Sequence, residues 1–335
     1  MKNKGEKRMD GHTGSPENKI VETILDSVRI PSLPEAALNL LMVCRDTRSS
    51  ANEIVRIIEL DSALCGRLLQ ISNSSYFGQQ GQVTTLTRAA VVLGNQHLRA
   101  AALGFYLASG LDRLGHKGFD LQEFWRDSIL RGCMGRQLAR TMDLHPAEQA
   151  FLLGMLSDIG SLIMVTHFGG PYADVYRQER EDFARRIEVE RRTFGTDHGR
   201  IAHALARRWG FPEILLSAMA HRCGEPPLAR TNFPATGLWQ VAYFCAAVPF
   251  AVDRQTAKLT SSLRRLAVTA FGLSFEGLSD VFTLAVEQFN ILRNVFSNVS
   301  PAECDAAALA AEAGRMMESL GPEVAGAVGA AQTTR

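Results

Sequence analysis

The chain has 335 residues, 46% of them apolar, with 36 Lys+Arg against 35 Asp+Glu and a net charge of +1. That length and apolar share exclude a disordered polymer and predict one large or two medium units around a sizeable core. The balanced charge gives no electrostatic footprint for duplex nucleic acid, which needs a concentrated basic surface.

Residues 1–17 are expected to form a disordered tail. Met1 to Ser15 is basic and Gly-rich and lacks the apolar core of a secretory signal. Ser15-Pro16-Glu17 then reads as a helix start: a cap residue, proline at the first helical position, and an acid at the positive helix end. That helix runs toward Arg29 and must stop before Pro31. A second follows Pro34, with Ala37, Leu40, Leu41 and Cys44 at helical spacing. Ser50-x-x-Glu53 is a capping box for a third, and Asp61 opens a fourth. Two more fit 86–93 and 96–107. The glycine-rich stretch 110–119 marks a lobe boundary, giving an N-terminal helical lobe over 18–112 and a C-terminal lobe over 118–320.

In the second lobe a long helix fits 121–142. Another runs from Pro146 to about Thr166, with almost no charge besides Glu148 and Asp158, so it should be buried on most sides. Gly169-Gly170-Pro171 breaks the chain. Residues 177–192 carry both charge signs at i,i+4 spacing and read as a solvated helix face. Helices then fit 199–209, 212–222, 238–252, 261–271, 278–298 and 301–320, before a frayed tail over 321–335. No alternating strand of useful length is present, so the fold class is all-α.

No predominantly apolar stretch is expected to reach the ~20 residues of a spanning helix. The longest candidate, 241–252, contains Pro249. No membrane partner is therefore expected. The six cysteines are scattered without a Cys-x-x-Cys pair and read as reduced core residues of a cytoplasmic protein.

The chemistry concentrates in the run Leu152-Leu153-Gly154-Met155-Leu156-Ser157-Asp158-Ile159-Gly160. A carboxylate in so apolar a helix needs a partner, because an unpaired buried charge is costly. Arg126, Ser128 and His221 are the candidate donors. No P-loop, Gly-x-Gly-x-x-Gly or Gly-x-Ser-x-Gly is present, and no cofactor is expected.

Five stretches in order resemble the HDOD domains, bacterial signalling modules related to HD-type phosphohydrolases. These are 30–35 (Ile-Pro-Ser-Leu-Pro-Glu), 57–64 with 68–78, 89–94, 153–160, and Asp197-His198 leading to Trp209-Gly210-Phe211-Pro212 and His221. The resemblance covers about residues 20–320. It implies a two-lobed helical fold whose second lobe is similar to an HD domain, acting in signal transduction by contacting a signalling protein. In HD enzymes an adjacent His-Asp pair holds a catalytic metal. Here Asp158 matches the aspartate and Ser157 stands where the histidine would be, while Asp127 occupies the position of the first histidine. His198 and His221 fall where related enzymes carry further ligands. A serine hydroxyl is a poor ligand for a transition metal.

Asp127, Ser157, Asp158, His198 and His221 are therefore expected to line a vestigial pocket without a metal. The alternative is a weak metal-dependent phosphohydrolase or phosphodiesterase using Asp127, Asp158, His198 and His221. Asn73, Ser74, Tyr76 and Phe77 suit either a helix-ending turn or an interaction surface. A small ligand is left open.

Overall fold

Helical periodicity yields sixteen α-helices and no strand among the described residues. The structure is a computed structural model. It describes residues 16–30, 33, 35–45, 51–74, 82–111, 114–144, 147–179, 182–221, 223–224, 226–231, 233–247 and 261–292. The helix expected at 301–320, both expected tails save for Pro16 and Glu17, and Tyr76 and Phe77 lie outside these residues.

The first lobe is built from α2 (Glu35–Arg45), α3 (Ala51–Glu59), α4 (Ser62–Ser72), α5 (Leu86–Leu93) and α6 (Asn95–Gly110), which pack on one another. Asp61 caps α4 by accepting from the Leu64 amide at 3.0 Å. Thr85 caps α5 in the same way through the Arg88 amide. Asn73 ends α4 and staples the chain back onto it. Its Nδ2 donates to the Leu69 and Val83 carbonyls, and its Oδ1 accepts from the Val83 amide at 2.7 Å. Its amide group is thus engaged in holding the turn.

The second lobe comprises α7 (Leu121–Thr141), α8 (Ala147–Leu156), α9 (Ile159–Phe168), α10 (Gly170–Gln178), α11 (Phe183–Phe194), α12 (His198–Arg208), α13 (Glu213–His221), α14 (Pro234–Ala247), α15 (Ser261–Thr269) and α16 (Phe275–Leu292). α7 is buried over most of its length and runs antiparallel to α8. The two come close enough that a Cβ on Gly154 would stand 2.3 Å from the Arg131 carbonyl oxygen. α6 packs against α8 and joins the lobes.

α1 (Pro16–Ser27) departs from the expected division of the chain. It packs on α9 and α12, so a helix expected in the first lobe lies on the second. Val21, Ile24, Leu25 and Val28 recur at i, i+3, i+4, i+7 and are buried. Glu17 pairs with Arg200, and Glu22 and Asp26 pair with Arg208, along the rim. Those rim pairs are solvent-exposed and weak, so the apolar stripe supplies most of the hold.

Three features of the second lobe differ from expectation. The segment 146–166 is two helices, not one. Ser157 closes the end of α8 through its hydroxyl on the Gly154 carbonyl at 2.7 Å, and the chain turns at Ser157-Asp158 before α9 begins. Residues 147–168 do reach spanning length, 22 residues at mean hydropathy 1.6, contrary to the expectation. However, 83% of the apolar window within them is buried in the protein interior. The charged segment 177–192 is likewise divided, between α10 and α11, and its charges are not all solvated, as described below.

α9 crosses α12 at Gly160, where a Cβ would lie 1.8 Å from the His198 carbonyl oxygen and 3.0 Å from the Ala202 amide nitrogen. Backbone on both sides cannot yield as a flexible side chain would. Gly160→Ala should therefore lower unfolding free energy by about 3 kcal/mol or more in urea titrations. Gly66→Ala, on an exposed face of α4 with open space around it, should instead raise stability by about 0.5–1 kcal/mol.

Candidate functional site

The turn between α8 and α9 places Asp158 at the N-cap of α9, yet its side chain makes no cap hydrogen bond. The carboxylate points into the lobe and is fully buried. Arg186 of α11 donates Nη2–H to Asp158 Oδ1 at 2.7 Å. Arg131 of α7 brings Nη1 to within 2.8 Å of Oδ2. Both arginines are buried as well.

Around this pair three more groups close the set. His198, first residue of α12, holds Nε2 at 3.2 Å from Arg186 Nη2 and 3.4 Å from Asp158 Oδ1. Its Nδ1 faces Glu190 Oε2 at 2.6 Å, and its backbone amide donates to the same oxygen. Nδ1–H donates to the Glu190 carboxylate. Tyr172 of α10 donates its hydroxyl to Glu190 Oε1 at 2.7 Å. Arg186 further lies over the Tyr176 ring at 5.3 Å. Two guanidiniums thus face two carboxylates, with an imidazole and a phenol between them, and the charges balance without solvent.

The local sequence explains each position. α11 starts at Asp182, whose side chain accepts from the Arg185 amide, and ends at Gly195 in the left-handed region at φ 74°. Phe183, Arg186, Ile187 and Glu190 recur at i, i+3, i+4, i+7 and are the buried face of that helix. Asp197 caps α12 through the Arg200 amide at 2.9 Å and receives Arg191 Nε at 2.7 Å.

The electrostatics follow from this packing. Burial alone would raise the Glu190 carboxyl. His198, Arg186 and the His198 amide outweigh it and hold the group below its ordinary 4.5. Burial also acts against Asp197, which His198, the Arg200 amide and Arg191 keep below its ordinary value. Burial, reinforced by Glu190, pushes the Tyr172 phenol well above 10, so it stays a donor. Arg186 keeps its proton because Asp158 and Glu190 more than offset its desolvation.

Of the residues singled out in the sequence, Asp158 and His198 meet in this cluster. Ser157 is buried beside the turn and spends its hydroxyl on Gly154. Asp127 is buried and gripped by Arg126 through Nε at 3.0 Å and Nη2 at 2.8 Å. Arg131, one helical turn further along α7, is the residue that carries positive charge to Asp158. His221 is exposed and lies against the Trp239 ring at a centroid distance of 5.2 Å. Ser128 donates to the Phe124 carbonyl. The donors expected for Asp158 are thus corrected to Arg131 and Arg186.

Arg131, Arg186, Glu190 and Tyr172 escaped the sequence reading. The mixed charge of 177–192 masks Arg186 and Glu190, although their register with Phe183 and Ile187 puts them on the apolar face of α11. Among the described residues, no group of three or more His, Cys, Asp or Glu side chains is arranged to hold a metal ion.

Comparison with known proteins accords with this architecture. A family model for the HDOD domain matches residues 30–223. An HDOD domain protein of unknown function from Geobacter sulfurreducens superposes with a TM-score of 0.65 at 16% identity, covering 83% of this chain and 97% of that one. A protein assigned to signal transduction from Marinobacter aquaeolei gives 0.60 at 20%, covering 90% and 66%. One assigned as a phosphohydrolase from Shewanella amazonensis gives 0.58 at 23%, covering 89% and 98%. At these identities the likeness is one of fold. An uncharacterized protein of Treponema pallidum is 24% identical over 212 residues, 60% of this chain, and the matched region spans only 39% of that relative's length.

The buried charges make stability depend on pH in a set direction. Glu190 has a folded pKa below 4.5, so its contribution is complete above that pH and is lost as pH falls through the folded value. Glu190→Gln should cost about 3 kcal/mol at pH 7. The gap between variant and parent, read from urea midpoints, should narrow steadily below pH 4.5. An unchanged gap at pH 3.5 would show that charge is not what Glu190 contributes.

Proposed function

The chain belongs to the HDOD domain family, and on that premise we propose that it is a regulatory, non-catalytic signal-transduction module that acts by contacting a partner protein. The observation that carries this reading is the position of Arg186. Its Nη2 sits 2.7 Å from Asp158 Oδ1 and 3.2 Å from His198 Nε2, against the two groups that correspond to metal ligands in the HD superfamily.

The residues present do not fit a resident divalent ion. A metal needs lone pairs converging on one point. Here an N–H donor already converges there, and a second guanidinium, Arg131, lies on the other carboxylate oxygen. Ser157, at the place of the missing histidine, offers its hydroxyl proton to the Gly154 carbonyl. With permanent positive charge built in, Asp158 has no electrostatic demand for a cation, and no water-activating centre arises. What remains is a rigid helical scaffold whose useful chemistry lies on its surfaces.

Elemental mass spectrometry of chelator-free, tag-free protein tests this directly, together with hydrolysis of bis(p-nitrophenyl) phosphate in added Mn²⁺. The expected outcome is trace metal and no turnover. Near-stoichiometric Mn, Fe or Zn, with turnover abolished in a folded Asp158→Ala variant, would establish the phosphohydrolase reading instead.

A further inference from the structure

α1 has twelve residues, a length at which an isolated helix is marginal in water. Its composition does not help. Ile20, Val21, Thr23 and Ile24 make four of the five residues at 20–24 β-branched, and such side chains lose freedom in a helix. Its last turn carries Asp26 and no basic residue, the wrong sign for a helix C-terminus. The order of α1 therefore comes from the surface beneath it.

That surface has a definite pattern. α1 packs on α9 and α12 and buries Val21, Ile24 and Leu25, with Val28 just past its end. On α12, Arg200, Ala204, Arg207 and Arg208 recur at i, i+4, i+7, i+8 and share one face. Ala204 is buried, and the three arginines form a basic margin. The acids of α1 meet that margin in order. Arg200 Nη1 lies 2.7 Å from Glu17 Oε2, Arg207 Nη2 3.7 Å from Glu22 Oε1, and Arg208 Nη2 2.7 Å from Asp26 Oδ1. Asp26, unfavourable at its own helix end, thus sits opposite a cation supplied by the groove. Near the start of α12, Ile20 reaches Gly195, where a Cβ would stand 3.1 Å from its Cδ1. Near the end of α9, Ser27 Oγ meets His167 Nδ1. An apolar floor with one charged margin is the general form of a groove that takes an amphipathic helix.

Building on the partner-contacting role above, and resting on it, we propose that the α9–α12 groove is the docking site for an amphipathic helix of the partner protein, and that α1 closes it in cis. The fitting helix carries aliphatic residues at i, i+3, i+4, i+7 and acids on the flank facing Arg200 and Arg208, as α1 does. Partner binding requires α1 to swing out, so one helix replaces another on the same floor. The partner's apparent affinity falls with the fraction of time the groove is open, which makes α1 an autoinhibitory segment.

The test has two parts, both on the full chain. In hydrogen–deuterium exchange, the α1 amides should exchange by local opening at least about tenfold faster than those of α9 and α12, after correction for intrinsic rates. Equal protection would overturn the proposal. A fluorescein-labelled peptide of residues 16–30 is then titrated by anisotropy. It should bind Ile24→Asp, in which α1 cannot seat, at least about tenfold more tightly than it binds the parent chain. A peptide carrying Glu22→Lys and Asp26→Lys should bind that variant about threefold more weakly. If Ile24→Asp fails to fold, Glu22→Lys with Asp26→Lys in the chain loosens the rim instead, and should tighten binding of the unaltered peptide about threefold. Unchanged affinity in the folded variant, or no preference for the acidic peptide, would overturn the proposal. So would self-association of the parent chain that Ile24→Asp abolishes, which would assign the groove to a second copy. These readouts are separate from the metal and turnover assay. A hydrolase result there would remove the non-catalytic reading with peptide binding intact, whereas failure of the peptide to bind would leave that assay's outcome unchanged.

Discussion

A fully buried carboxylate at a helix joint must be neutralised, and the second lobe is organised around how Asp158 achieves this. The turn between α8 and α9 delivers the charge to the interior. α7 answers with Arg131 and α11 with Arg186. Arg186 then has to be balanced in turn, which brings in Glu190, and Glu190 fixes His198 and Tyr172. Four helices (α7, α10, α11 and α12) and the α8–α9 turn are thereby tied by a single closed set of charges. Such a set adds little net stability compared with apolar packing of the same volume. It is intolerant of losing one member, because each loss strands a charge in a medium that cannot solvate it.

That arrangement depends on close backbone approach. Arginine reaches Asp158 from α7 only because α7 and α8 nearly touch at Gly154. His198 is in range because α9 and α12 nearly touch at Gly160. Both glycines lie within two or four residues of Asp158, so one short segment supplies the charge and the space that lets its partners converge. Two guanidiniums supply the positive charge facing Asp158 from inside the chain, as directional N–H donors.

The lobe junction solves a similar problem with one ion pair: Arg136 meets Glu148 through Nε at 3.0 Å and Nη2 at 2.7 Å and donates Nη1–H to Gln288. α1 lies on α9 and α12 of the second lobe although it precedes the first lobe in the chain. The lobes meet where α6 packs against α8.

Sequence alone determined the helical class, most helix positions and the identity of the residue on which the second lobe turns. Those follow from local physics: the 3.6-residue period, caps such as Asp61 and Asp197, and breakers such as Gly169-Gly170-Pro171. An apolar run with one acid also announces that the acid needs a partner. Which partner was not decidable along the chain. Arg131 and Arg186 lie 27 residues before and 28 after Asp158, and only the packing of α7 and α11 against the α8–α9 turn brings them to it. The charges of α11 have the composition of a solvated face, and only their register with Phe183 and Ile187 puts Arg186 and Glu190 inside. His221 looked like a site residue because its order along the chain fitted, yet the α13–α14 packing leaves it outside on Trp239. Long-range pairing is a property of three-dimensional contact, and tertiary structure alone decided that the positive charge facing Asp158 is arginine.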